Sequence, residues 1–74
     1  MNTTASEITV RVNDDSRTFN APLTLLVMLQ ALAMAERRGI AVAINDHVVP
    51  RSQWPVRSVA EGDRVLIIQA TQGG

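Results

Sequence analysis

The stretch Glu7–Asn20, EITVRVNDDSRTFN, decides the fold. Ile8, Val10 and Val12 fall on one side of an extended chain, and Glu7, Thr9 and Arg11 fall on the other. A period of two marks a half-buried strand. Asn13–Ser16 (NDDS) is a cluster that favours a turn. Arg17–Asn20 (RTFN) returns as a short second strand with Phe19 facing in, so the two strands form a hairpin.

Working outward, Pro22 breaks the strand pattern, and the Thr24 hydroxyl is placed to cap a helix. LLVMLQALAMAERR (Leu25–Arg38) then reads as that helix, with Leu25, Leu29 and Leu32 on one face and Leu26 and Ala33 beside them. Arg37 and Arg38 fall in its last turn, where the helix dipole favours cations, and Gly39 supplies the stop. In IAVAIN (Ile40–Asn45), large residues alternate with alanines, which suits a strand covered by a helix on one side. Asp46–His47 is a tight connection, and Val48–Pro50 is a very short strand ended by proline. Arg51–Val59 (RSQWPVRSV) is irregular, since Pro55 blocks a long helix there. Ala60–Asp63 is a turn with Gly62 free to take positive φ. Arg64–Ala70 (RVLIIQA) is the last strand, and its consecutive apolar residues mark it as central.

A hairpin, a crossover helix and further strands give an α+β fold. The expected architecture is a mixed sheet of about five strands with one main helix packed on one face, the β-grasp or ubiquitin-like arrangement; the crossover is right-handed by rule. In that fold the first and last strands run parallel in the middle of the sheet, and the end of the last strand projects outward. The expected organisation is a flexible N-terminal extension over 1–6, a β-grasp domain over 7–70, and a flexible C-terminal tail over 71–74 ending Gly-Gly.

Composition narrows the function. The chain has 74 residues, of which 46% are hydrophobic, so it folds as one small domain. Such a chain buries roughly 60% of its unfolded surface, which leaves no room for a deep enclosed active site. The formal net charge is zero, so nothing draws a nucleic-acid backbone over a distance. Cysteine is absent, which excludes disulfides, thiolate metal sites and a thiol nucleophile. A small domain without disulfides fits a reducing compartment. With no signal peptide and no membrane span in the sequence, cytoplasm is the expected location. All seven basic residues are arginine, so no lysine amine is present to be acylated by an activated carboxyl group.

Catalytic chemistry is hard to find in the body of the chain. His47, the single histidine, reads as a surface turn residue beside Asp46. The Asp and Glu residues show no metal-ligand spacing, so no metal site is expected. Gly39 and Gly62 serve turns. Trp54 reads as a plug in the core beneath a long loop. Arg51 is open between a solvated charge and a partner contact. No catalytic residue is assigned.

Attention therefore moves to VLIIQATQGG (Val65–Gly74). Two terminal glycines arise by chance in about 0.5% of chains at ordinary glycine usage. Lacking side chains, Gly73 and Gly74 can thread a channel too narrow for other residues. The Gly74 carboxylate is ionised at neutral pH and can attack the α-phosphate of ATP in a partner enzyme. The resulting acyl-adenylate accepts an amine, a thiol or a sulfide equivalent. Thr71–Gly74 spans up to roughly 13 Å when extended, enough to carry the carboxyl group into a partner's site. If strand parity holds, Val65 and Ile67 face the helix and Leu66 and Ile68 the uncovered side of the sheet. Leu66 and Ile68, with Arg51 and Gln72, are the candidate partner interface.

Three stretches carry a resemblance: AINDHVVPRSQW (Ala43–Trp54), EGDRVLIIQ (Glu61–Gln69) and Gly73-Gly74. With them the chain resembles the ThiS family, the sulfur carriers of thiamine biosynthesis. The likeness covers roughly Ile8 to Gly74, with the helix matching only in pattern. VVPRSQW (Val48–Trp54) is its most specific part. Gly62-Asp63 and the terminal glycines alone would be shared with the small subunit of molybdopterin synthase, which as a rule lacks the Pro-Arg-x-x-Trp segment. The extension over 1–6 is additional, and Thr71-Gln72 stand where small or apolar residues are common.

The resemblance implies a sequence of partners. A ThiF-type adenylyltransferase, akin to ubiquitin-activating enzymes, would adenylate Gly74 using ATP and Mg²⁺. A sulfur-donating enzyme would convert it to a thiocarboxylate, and a ThiG-type thiazole synthase would take the sulfur into the thiazole ring. The chain itself would bind no cofactor and, free of partners, would be a monomer. It would be a co-substrate rather than an enzyme. Three other readings stay open: a molybdopterin-synthase type of carrier, a ubiquitin-like interaction module with an inert tail, and a modifier joined to target lysines.

Overall fold

The computed structural model describes residues 7–69. β1 (Glu7–Val12) and β2 (Asp15–Asn20) pair antiparallel, with Ile8 opposite Phe19 and Val12 opposite Asp15. The second strand therefore begins two residues earlier than expected, and Asn13 and Asp14 alone connect the pair. Both sit in the left-handed region, at φ 52° and 74°. Such a turn carries the twist its flanking strands need, and Asn and Asp tolerate it better than other side chains.

Thr24 caps the helix as expected, its Oγ1 accepting from the Val27 N–H at 3.3 Å. Two more free amides of the first turn find partners in the irregular segment. The Leu25 N–H donates to the Arg57 carbonyl at 2.8 Å and the Leu26 N–H to the Trp54 carbonyl at 3.0 Å. The helix start is thus docked on the Trp54 segment, and its end groups are satisfied by protein rather than solvent. Just before it, β3 (Leu23–Thr24) pairs antiparallel with β6 (Ser58–Val59), a two-stranded ribbon that the sequence reading does not contain.

The helix is half the expected length. α1 covers Leu25–Ala31 and does not reach Arg38. The chain leaves it through Ala33 at φ 60°. The Ala33 N–H donates to the Gln30 carbonyl at 3.0 Å and the Met34 N–H to the Leu29 carbonyl at 2.8 Å. These two bonds form a Schellman motif with alanine where glycine is usual. A left-handed alanine costs roughly 1–2 kcal/mol, and the packing of Leu32, Met34 and Ala35 against the core offsets it. Arg37 and Arg38 consequently lie in the following loop, and no basic residue stands in the last helical turn. Gly39, at φ 73°, turns the chain into the next strand instead of stopping the helix. The buried stripe of α1 is Leu25, Met28 and Leu29. Leu26 and Leu32 are half-buried, and Ala33 is exposed.

β4 (Ile40–Ile44) and β5 (His47–Val49) form a second hairpin built like the first. Asn45 and Asp46 are its turn, at φ 51° and 72°. His47 therefore opens β5 and is exposed; it is not part of the turn. A short 3-10 helix (Arg51–Gln53) follows, and Gly62 turns at φ 83°. β7 (Arg64–Gln69) closes the sheet in the order β2-β1-β7-β4-β5. It runs parallel to β1 and antiparallel to β4. This is the β-grasp arrangement, with the first and last strands adjacent at the centre. Val10, Val42, Ile44, Val65 and Ile67 face α1 from the sheet, and Trp54 fills the space under the irregular segment at 2% exposure.

Candidate functional site: the open sheet face and the end of the last strand

One helix covers one face of the sheet, so the other face stays open. β7 alternates across it as expected: Val65 and Ile67 are buried, while Leu66 and Ile68 are 49% and 53% exposed. The register aligns them with neighbours of like character. Leu66 lies beside Ala43, Ala43 beside Val48, and Ile68 beside Ala41. The result is an apolar strip across three strands, with Val48 at its far side and 74% exposed. The sequence reading does not place Val48 here; the signal is the Val48-Val49 pair in a two-sided strand, one pointing in and one out. Arg11 and Arg64 border the strip in adjacent register positions. Arg64 pairs with Asp46 at 3.4 Å, an exposed contact of small energetic weight. An apolar centre with a charged border is the make-up of a protein-binding patch.

β7 is held more firmly than its strand pairing alone provides. The Asn13 side chain continues the ladder where β1 turns away. Its Oδ1 accepts from the Ile67 N–H at 2.8 Å, and its Nδ2 donates to the Ile67 carbonyl at 3.1 Å. Asn45 does comparable work at the other end. Its Oδ1 accepts from the Arg64 N–H at 2.9 Å, and its Nδ2 donates to Asp63 Oδ1 at 3.0 Å. Each hairpin turn thus contributes one asparagine that clamps the central strand. Sequence reading takes Asn13 only as a turn former and places Asn45 at the end of a strand; the repeated Asn-Asp at 13–14 and 45–46 was the available signal.

The described chain stops at Gln69, opposite Ile40. Arg37 Nη1 donates to Gln69 Oε1 at 3.3 Å. Gln72, Gly73 and Gly74, the expected tail residues, lie outside the described residues. Arg51 stacks its guanidinium 4.4 Å above the Trp54 ring. It donates to the Ala35 carbonyl at 3.0 Å and the Arg37 carbonyl at 2.9 Å. Its fork is therefore engaged within the domain. Trp54 itself donates from Nε1 to the Val49 carbonyl at 3.1 Å.

Among the described residues no three His, Cys, Asp or Glu side chains come together as a metal site. No described helix is long and apolar enough to cross a membrane. The arrangement offers two things: an open apolar surface, and a central strand whose described end is Gln69.

Comparison with known proteins agrees over nearly the whole chain. The model of the ThiS family matches residues 2–74. The sulfur carrier protein ThiS of Escherichia coli (strain K12) is 37% identical over 62 residues, covering 84% of this chain and 92% of that protein. The crystal structure of the thiamine biosynthesis protein ThiS from Geobacter metallireducens has a TM-score of 0.77 at 26% identity, over 90% of this chain and 100% of that one. The solution structure of a thiamine biosynthesis protein from the same organism gives 0.71 at 26% identity, over 90% and 88% of the two chains.

Proposed function

From the premise that this chain belongs to the ThiS family, we propose that it carries sulfur for thiamine biosynthesis as a thiocarboxylate on Gly74. The chain is a small sulfur carrier. The family match through residue 74, glycines included, is the observation that carries this reading.

The chemistry follows from the terminal group. The Gly74 carboxylate oxygen attacks the α-phosphorus of ATP in an adenylyltransferase, pyrophosphate leaves, and an acyl-adenylate forms. A sulfide equivalent (HS⁻) delivered by a donor enzyme then attacks the acyl carbon, AMP leaves and the proton on sulfur is lost to solvent. One carboxylate oxygen has been exchanged for sulfur, and a thiazole synthase consumes it. ATP and Mg²⁺ are the activating enzyme's substrate and metal. This chain contributes the acyl group, the surface that docks it and the strand that aims it. It acts as a co-substrate, with the Leu66–Ile68 strip as the surface its partners grip.

The test is mass spectrometry of the full chain co-expressed with a ThiF-type adenylyltransferase. The expected product has one oxygen replaced by sulfur at the C-terminus, and deleting Gly74 removes it while the fold persists. An unchanged mass, with the enzyme active on a control carrier, would overturn the reading.

A further inference from the structure

We propose that Trp54, Arg51 and Arg37 form a positioning device for the carboxyl-terminal tail, in which Arg37 sets how β7 leads into it. This rests on the sulfur-carrier reading, since it concerns presentation of the tail for activation. The three residues act through Gln69.

The chain of contacts starts from the best-fixed member. Trp54 is buried and tied through its indole N–H to the Val49 carbonyl. Its ring is a flat platform for the Arg51 guanidinium, 4.4 Å away. A planar, delocalised cation stacked on an indole loses much of its freedom, and its fork then points in one direction. That direction is the loop between α1 and β4, where it takes the Ala35 and Arg37 carbonyls at 3.0 and 2.9 Å. The loop exists because α1 ends early at Ala31. With its backbone so held, Arg37 reaches Gln69 Oε1 at 3.3 Å. Gln69 is the last residue of β7, and the next residues are ATQGG.

Salt-bridge energetics do not account for this arrangement. No carboxylate takes part in these contacts: two arginines are linked through a backbone carbonyl, and the second reaches a neutral amide. What the contacts share is a path from the Pro50-Arg51-x-x-Trp54 segment to the root of the tail. The segment that distinguishes this chain's sequence thus meets, through Arg37, the strand that distinguishes its function.

The experiment measures ATP–pyrophosphate exchange by a ThiF-type adenylyltransferase with the full-length carrier varied. Arg37→Ala, Arg51→Ala and Gln69→Leu are each expected to lower kcat/KM for the carrier by about threefold to tenfold, the range that the net worth of one ordinary hydrogen bond supports. Combining Arg37→Ala with Gln69→Leu is expected to cost no more than the worse single change, because both remove one contact. Gln69→Glu keeps an acceptor oxygen facing Arg37 and is expected to stay within about twofold of wild type by the same reasoning. The Gln69 side-chain amide resonance is expected to move in Arg37→Ala and in Arg51→Ala, a local effect that general destabilisation does not produce. Additive losses in the double variant, or kcat/KM unchanged in Arg37→Ala, would overturn the device while leaving the sulfur-carrier reading intact. No exchange with the wild-type chain, the enzyme being active on a control carrier, would overturn both.

Discussion

Replacing Asn13 by glycine isolates the contribution of one side-chain amide to the central strand. Asn13 sits at φ 52°, which glycine adopts without strain, so the turn survives the change. What disappears is the pair of bonds to Ile67, at 2.8 and 3.1 Å and partly buried. Each such bond is worth about 1 kcal/mol net, and the extra freedom of glycine in the unfolded chain adds about 0.5 kcal/mol. The expected loss is therefore about 2–3 kcal/mol, against a total of roughly 5–15 kcal/mol for a native domain. With a urea slope of about 1 kcal/mol/M for so small a chain, the midpoint falls by about 2–3 M. Trp54 fluorescence follows the transition, since unfolding exposes a buried indole. Asn13→Asp keeps an acceptor for the Ile67 N–H and loses the donor, so it should recover about half of the deficit. Amide exchange at Ile67 should accelerate in the glycine variant. A glycine variant with unchanged midpoint and slope would refute the reasoning, because Ile67 would then be satisfied equally well by solvent.

Ala33→Gly should stabilise the domain by about 0.5–1 kcal/mol, the relief of a left-handed alanine less the entropy of glycine. Thermal unfolding should register this as a rise of a few degrees, and a fall would mean the Schellman geometry is not that of Ala33. Leu66→Ser with Ile68→Ser should cost about 1.5–3 kcal/mol of stability, since each side chain is about half-buried, and should leave the domain folded. The same pair should weaken adenylyltransferase binding tenfold or more, about 1.4 kcal/mol, in a calorimetric titration. Unaltered affinity would remove the strip from the interface.

The features legible in the sequence are those written into local periodicity. Alternation in EITVRV and RVLIIQ placed Val65 and Ile67 inward and Leu66 and Ile68 outward, and the structure agrees. Thr24 ahead of an apolar run was readable as a cap because the hydroxyl and its target lie three residues apart. The helix end was not readable. Ala33 is a strong helix former, and what stops α1 is the packing of Leu32 and Met34, a tertiary effect. The β3–β6 ribbon was invisible because two-residue strands have no period, and Pro22 and Pro55 dominate their surroundings. Asn13 was visible as a turn residue and Asn45 as the end of a strand, neither as a clamp, since the Asn13 bond joins positions 54 residues apart. Arg51 was left open for the same reason, its partners lying 14 and 16 residues away. The terminal glycines were read from motif and chemistry, and they lie outside the described residues.

The central place of β7 also has a mechanical meaning. Load applied at its C-terminal end runs along the strand axis, while its hydrogen bonds to β1 and β4 lie across that axis. Such bonds are sheared together and share the force, whereas an edge hairpin would peel open one pair at a time. The amides of Asn13 and Asn45 add rivets at both ends of the loaded strand. A force applied at Gln69 is therefore spread over both neighbouring strands at once.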